Sequence, residues 1–296
     1  MRLTFIVLII AMININPGSL YANDSEYQEK LTNGIEAFYK ADWNTAEEVF
    51  DALILKNPAN PEGYFFRSMI PFWTYFFAGE DSDNAEDFMR WSERAVDIAD
   101  RAYESDPNDT STVLLLGGLY GYRGLVAANE GNHRSAIDSG VSGYRFSRKL
   151  MDMDTSNPDA LIGQGMFNYM IGSIPGSLRW IGSLAGLSGD KDKGFELLER
   201  AANEAEAVSN DARMILTHLY LREDEPKKAL EAITPLAEEY RENPIFQFYL
   251  AKSLEGVDRQ DEAKDAYAKV VSIDHPKMQQ LKSKSRERLD TLMAGL

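Results

Sequence analysis

A small residue, an apolar one four positions later and a proline eight beyond that recur along this chain, and no other feature restricts its fold as much. Ala46, Phe50 and Pro58 form one such set, Ala95, Ala99 and Pro107 a second, and Ala263 with Tyr267 repeats the first two marks. Residues four apart lie on one face of a helix. A small residue there lets a second helix approach closely, the i+4 side chain fills the same seam, and proline ends one unit and begins the next. The pattern therefore asks for stacked antiparallel helix pairs, an architecture that makes binding surface and supplies no chemistry of its own.

Taking Ala46, Ala95, Phe146, Gly194, Ala229 and Ala263 as the residues that open each second helix, the intervals are 49, 51, 48, 35 and 34 residues. The longer units exceed the shorter by about two turns on each helix, and whole added turns keep the apolar stripe on one face. Asn57, Asp106, Asn157 and Asn243 each precede a proline, a capping side chain set before a residue suited to a first helical turn. Thirteen helices are predicted, at about 24–40, 44–56, 60–78, 84–105, 109–129, 132–154, 158–171, 190–208, 210–222, 226–240, 244–256, 260–272 and 275–294. No stretch alternates with period two for long enough to predict a strand.

Arg2 followed by an apolar run from Leu3 to Ile13, broken at Pro17-Gly18 ahead of Leu20-Tyr21-Ala22, predicts a secretory signal over residues 1–22 with cleavage after Ala22. The mature chain is then expected to be soluble, in the periplasm or secreted. It contains no cysteine, hence neither disulfides nor a lipid-accepting thiol. A formal charge of −16 repels nucleic acid and anionic headgroups, and 44% hydrophobic residues is too many for a disordered chain.

Leu116-Gly117-Gly118-Leu119-Tyr120, Gly34 in the first unit and the pairs Ala229/Ile233 and Ala263/Tyr267 resemble the tetratricopeptide repeat, in the lengthened form found among exported bacterial proteins, the helical partners of TRAP-type transporters included. The resemblance covers nearly all of residues 27–272. It implies an all-α, right-handed solenoid of about six antiparallel helix pairs over 23–272, with a capping helix over 273–296. In that family the first helix of each pair lines the concave face, which would direct Phe65, Met69, Phe72 and Trp73 inward, together with Tyr122, Gln164 and Phe167. Phe65, Phe72 and Trp73 belong to a run of eight aromatics within 14 residues, Tyr64 to Phe77. Core packing is the first account of such a run; a ligand groove is the second, since one stripe cannot use aromatics on every face.

Gly117, Gly118, Gly121 and Gly124 each weaken a helix by up to about 1 kcal/mol relative to Ala. Either close helix packing offsets that, or the glycines leave room for a ligand beside Tyr122 and Arg123. The fourth unit is interrupted by a long apolar segment from Gly172 to Gly189, expected to fold over one end of the groove with Arg179 or Trp180 beside whatever binds.

Signatures of catalysis fail one by one. His133, His218 and His275 do not form a zinc-protease pattern, Gly163-Gln164-Gly165 lacks both the third glycine and the preceding strand of a dinucleotide loop, and the acidic stretches at Asp81 and Asp152 lack the turn glycine and bidentate glutamate of a calcium loop. The family's terminal-carboxylate clamp would need Lys and Asn where this chain has Leu31 with Ile35, Met214 with His218, and Phe248 with Lys252. The expectation is a non-enzymatic module without cofactor or metal, binding a protein or peptide partner through apolar contact; the alternative is a carrier of a small apolar or amphipathic ligand, assisting a transporter. An open, continuous groove would favour the module, and a deep enclosed site near Trp73, Tyr122 and Phe167 the carrier.

Overall fold

The computed structural model describes residues 25–79, 81–153, 157–173, 188–205 and 207–295. Among these there are thirteen α-helices and no strand. They pair in chain order: α1 (Ser25–Tyr39) with α2 (Trp43–Lys56), α3 (Pro61–Phe76) with α4 (Ser82–Ser105), and α5 (Thr110–Asn129) with α6 (His133–Met153). A 3₁₀ turn at Pro158–Ala160 leads into α7 (Leu161–Gly172), which pairs with α8 (Lys191–Glu204). Then follow α9 (Ser209–Arg222) with α10 (Pro226–Glu239), α11 (Pro244–Gly256) with α12 (Gln260–Ser272), and a single last helix, α13 (Gln279–Met293). The predicted signal at 1–22 lies outside the described residues. No described helix is long and apolar enough to cross a membrane.

Helix ends follow local chemistry. Asn243 caps α11 through its side-chain oxygen, and Asn157 caps the 3₁₀ turn in the same way. Asn57 and Asp106 do not cap the helices that follow them. Each closes the helix before it, and the caps of α3 and α5 are Asn60 and Asp109, three residues further on. A turn is needed between the two helices of neighbouring pairs, so Pro58 and Pro107 occupy that turn instead of a first helical turn.

Ala46, Ala95, Ala229 and Ala263 have no accessible surface. A Cβ on Gly194 would lie 2.6 Å from the Tyr169 amide nitrogen, so α7 and α8 meet at backbone distance. In the third pair the close approach is made by Gly143 and not by Phe146: a Cβ on Gly143 would lie 2.9 Å from the Gly121 nitrogen and 3.1 Å from the Gly117 oxygen. Gly124 faces Gly140 across the same seam. Three of the four α5 glycines are thus spent on contact with α6. Phe146 packs beside this seam, between the rings of Tyr103 and Tyr120. Ala263→Leu is expected to force α11 and α12 apart and to cost about 1–3 kcal/mol; urea denaturation of the variant checks it, and an unchanged midpoint would contradict the assignment of that pair.

The array does not remain an open solenoid. One apolar core runs from Tyr27 to Leu281 and joins the first two pairs to the last ones. The Asn243 amide donates to the Tyr39 carbonyl (2.9 Å), His275 Nε2 lies 2.9 Å from the Ala41 carbonyl, and Lys277 pairs with Glu47. The Tyr249 hydroxyl donates to the Phe77 carbonyl, and the Trp43 indole packs edge-on to His275. Each of these contacts ties residues of the first two pairs to residues beyond 240.

Candidate functional site

The closure decides what becomes of the aromatic run in α3. Trp73 is 1% exposed, its ring meeting Phe38 (5.1 Å), Tyr39 (5.9 Å), Phe77 (5.1 Å) and Phe246 (5.6 Å). Phe72 is equally buried, 4.7 Å from the Tyr122 ring and 5.3 Å from Phe88. These two side chains are therefore core, a wedge on which the first and last pairs of the array meet, and not the wall of an open groove. Pro71 lies inside α3 without ending it, because the helix is held on several sides. The Trp73 Nε1 has no hydrogen-bond partner among the described residues, an uncommon state for a buried donor.

Beside this wedge lies a polar constellation that the sequence did not announce. Asp211, in the first turn of α9, is coupled electrostatically to the hydroxyls of Tyr39 at the end of α1 and Tyr122 in α5. Burial raises its carboxyl from 3.8 to about 6, while the two phenols oppose that rise by stabilising the carboxylate. Both tyrosines are in turn pushed well above the usual phenol value, by burial first and then by the Asp211 charge. No described lysine or arginine neutralises this carboxyl. Asp211 keeps part of its surface accessible. Half-buried Phe65 lies 6.5 Å from the Tyr122 ring, and a Cβ on Gly118 would sit 3.6 Å from it in ordinary contact. Gly118 is the one glycine of the four that faces the aromatics.

Two turns along α9, His218 lies 3.3 Å by its Nδ1 from the Tyr249 hydroxyl, with the rings of Phe76 and Phe77 at 5.2 and 6.0 Å. Burial lowers it to about 4, helped by the positive charges of Lys252 and Arg222. The imidazole is therefore neutral near pH 7, and α9 carries a partly buried acid and a partly buried base along its length.

The remaining candidate residues are dispersed. Arg123 turns away from the aromatics and donates to the Met89 carbonyl (3.0 Å) and Ser92 Oγ (2.9 Å), which ties α5 to α4. Phe167 stacks on Tyr144 at 3.8 Å and packs α7 against α6. Gln164 is half-buried on α7, its carbonyl accepting from the Asn168 side chain. Arg179 and Trp180 lie outside the described residues. Phe65, Phe72, Trp73 and Tyr122 are thus brought together, while Arg123 and Phe167 serve separate helix contacts. Among the described residues no group of three or more His, Cys, Asp or Glu is placed to hold a metal ion.

No family model matches the sequence, and no curated protein matches it. Among solved structures the chain is similar to a tetratricopeptide repeat protein from Parabacteroides merdae, at 14% identity and a TM-score of 0.41 over 91% of this chain and 100% of that one. A thermophilic TPR protein of Thermus thermophilus gives 12% identity and 0.34, over 90% of this chain and 99% of the other. Yeast Tom70 gives 13% and 0.36, over 94% and 66%. The fold is a tetratricopeptide-like helix-pair array. What carries this is the geometry above: consecutive antiparallel pairs, alanine or glycine at each close approach, and, in every pair but the third, where Ser147 follows Gly143, an apolar residue four positions on. Within the tetratricopeptide-like array, the inner helices of the first two pairs are turned against those of the last two.

Proposed function

We propose that this chain is an exported, non-enzymatic binding scaffold that carries a small ligand beside Phe65, Tyr122 and Asp211. The carrying observation is half-buried Phe65, set 6.5 Å from the Tyr122 ring and against Gly118, with the partly exposed Asp211 carboxyl coupled to the same tyrosine. A peptide laid along an open concave face needs that face free, and over the first two and last two pairs it is occupied by the chain's own Trp73, Phe76, His218 and Phe246. Export rests on the Arg2-led apolar run and the Ala22 site.

Helix-pair arrays also serve as protein-interaction scaffolds, and a protein or peptide partner is the second reading. It is favoured by Leu55, 84% exposed on the outer helix α2, and by Met293, 63% exposed on α13. Purifying the mature chain without denaturation, unfolding it and identifying released small molecules by mass spectrometry separates the two. A stoichiometric small molecule is the expected result. An empty chain that instead retains a protein partner, lost in Leu55→Glu, would overturn the carrier reading. Amino-terminal sequencing checks export: a first residue near Asn23 is expected, and an intact Met1 would contradict it.

A further inference from the structure

The residues that lead into the last helix also fasten it to the first pair. His275, Pro276, Lys277 and Met278 form a tight turn, closed by the Met278 amide donating to the His275 carbonyl (3.2 Å). Proline suits the second position of such a turn because its φ is already fixed. The turn also orients the imidazole, since the Lys277 amide donates to His275 Nδ1 (3.3 Å). Nδ1 is therefore an acceptor, the neutral ring keeps its proton on Nε2, and Nε2 donates it to the Ala41 carbonyl at 2.9 Å. Ala41 lies just past the end of α1, in the left-handed region at φ +60° and 7% exposed. Without the imidazole its carbonyl would lose this partner in a buried position, which is costly. The Trp43 ring, edge-on to His275 at 5.0 Å, the Lys277–Glu47 ion pair and buried Met278 complete the junction.

Only one protonation state of His275 fits these contacts. A second proton would go on Nδ1 and point at the Lys277 N–H, donor against donor. Burial holds the ring below its ordinary 6.5; the Ala41 carbonyl opposes that, the Lys277 charge adds to it, and the Asp42 and Asp274 charges oppose it. The nearby carboxylates are already engaged. Asp42 caps α2, Asp274 pairs with Lys282 on α13, and Glu47 pairs with Lys277 and with Arg67 on α3.

We propose that the His275–Met278 turn is a latch that opens in mild acid: neutral His275 holds the last helix to the first pair, and a proton on Nδ1 releases it. The Trp73–Phe246 contact between α3 and α11 does not involve this ring, so the opening is local. The latch does not depend on what the chain binds.

Hydrogen exchange of the full chain between about pH 7.5 and 4.5, corrected for the intrinsic pH dependence of exchange, tests it. On acidification the amides of Ala41, Asp42, Lys277 and Met278 are expected to lose protection by at least about tenfold, while those of α3 and α11 keep theirs. In His275→Gln, whose side-chain amide donates and accepts but takes up no proton in this range, the loss should disappear. Should that variant fail to fold, the ring nitrogen NMR shifts of the wild-type protein supply the answer: the Nε2–H tautomer at neutral pH and a titration midpoint below 6.5 are expected. An Nδ1–H tautomer, a midpoint at or above 6.5, protection that is unchanged by acid, or the same loss in His275→Gln would each overturn the latch.

Discussion

Trp73→Ala is expected to destabilise the protein by about 3–5 kcal/mol, the range for emptying a buried large aromatic site. The side chain is 1% exposed and its neighbours come from both ends of the chain, Phe38 and Tyr39 on one side and Phe246 on the other. In an open stack of helix pairs a truncation loosens only the adjacent units, because each touches its neighbours alone. Here the loss should also reach α11, far along the sequence. Native-state hydrogen exchange is the measurement: amides of Pro244–Gly256 should exchange faster in the variant, alongside those of α1 and α3. If protection falls only around α3, the contact between first and last pairs contributes little and the array behaves as an open solenoid. Trp73→Phe should cost much less, since it keeps most of the apolar volume and removes a buried donor that has no partner.

The acid and base on α9 make a second strong prediction. Asp211 has its native value raised from 3.8 to about 6, so the native state holds this proton more tightly than the unfolded chain; the stability it contributes is full below about pH 4 and is lost as pH rises through 6. His218 has its native value lowered from 6.5 to about 4, so the unfolded chain takes up the proton first; its contribution is full above about pH 6.5 and is lost as pH falls toward 4. Each amounts to about 3 kcal/mol across its window. The two windows nearly coincide and the signs are opposite, so the pair leaves the wild-type curve almost level between pH 4 and 6.5. Removing one member exposes the other. In Asp211→Asn, stability should fall on acidification by about 3 kcal/mol more than in wild type, and in His218→Gln it should rise on acidification by a similar amount. Other shifted groups, such as Glu62 and His275, are common to all three proteins and cancel in the differences. Urea denaturation at a series of pH values reads this directly. Parallel curves for all three proteins would mean that neither group is shielded from water.

The helices were legible because their determinants are local. The apolar stripe, the caps and the prolines act within a few residues, and α11 and α12 occupy the predicted residues at both ends. Where two local signals competed, reading the sequence alone chose wrongly. Asn57 and Asn60 are both good caps three residues apart, and only the length of the turn between pairs selects the second. Gly143 and Phe146 lie within one turn of α6, and only the facing glycines of α5 show which of them is in the seam.

The candidate site was legible in part and for a different reason. Phe65, Phe72 and Trp73 stood out as aromatics in excess of what one helix stripe can bury and Tyr122 as a ring beside the α5 glycines, and Phe65 and Phe72 do lie against Tyr122. Asp211, however, reads as an ordinary acid in a first helical turn, where a carboxylate is favoured by the helix dipole. Tyr39 reads as the end of α1. Nothing in the neighbourhood of either residue marks it as the partner of the other.

What the sequence by itself determined is the unit: a helix pair closed by a small residue, repeated six times with a last helix added. The shape of the whole was decided only in the tertiary structure, because the curvature of a stack is the sum of small rotations between successive pairs, each set by side-chain volumes in a different seam. That sum turns the last pairs back onto the first, converts Phe72 and Trp73 from lining into core, and brings Tyr39, Tyr122 and Asp211 to one point.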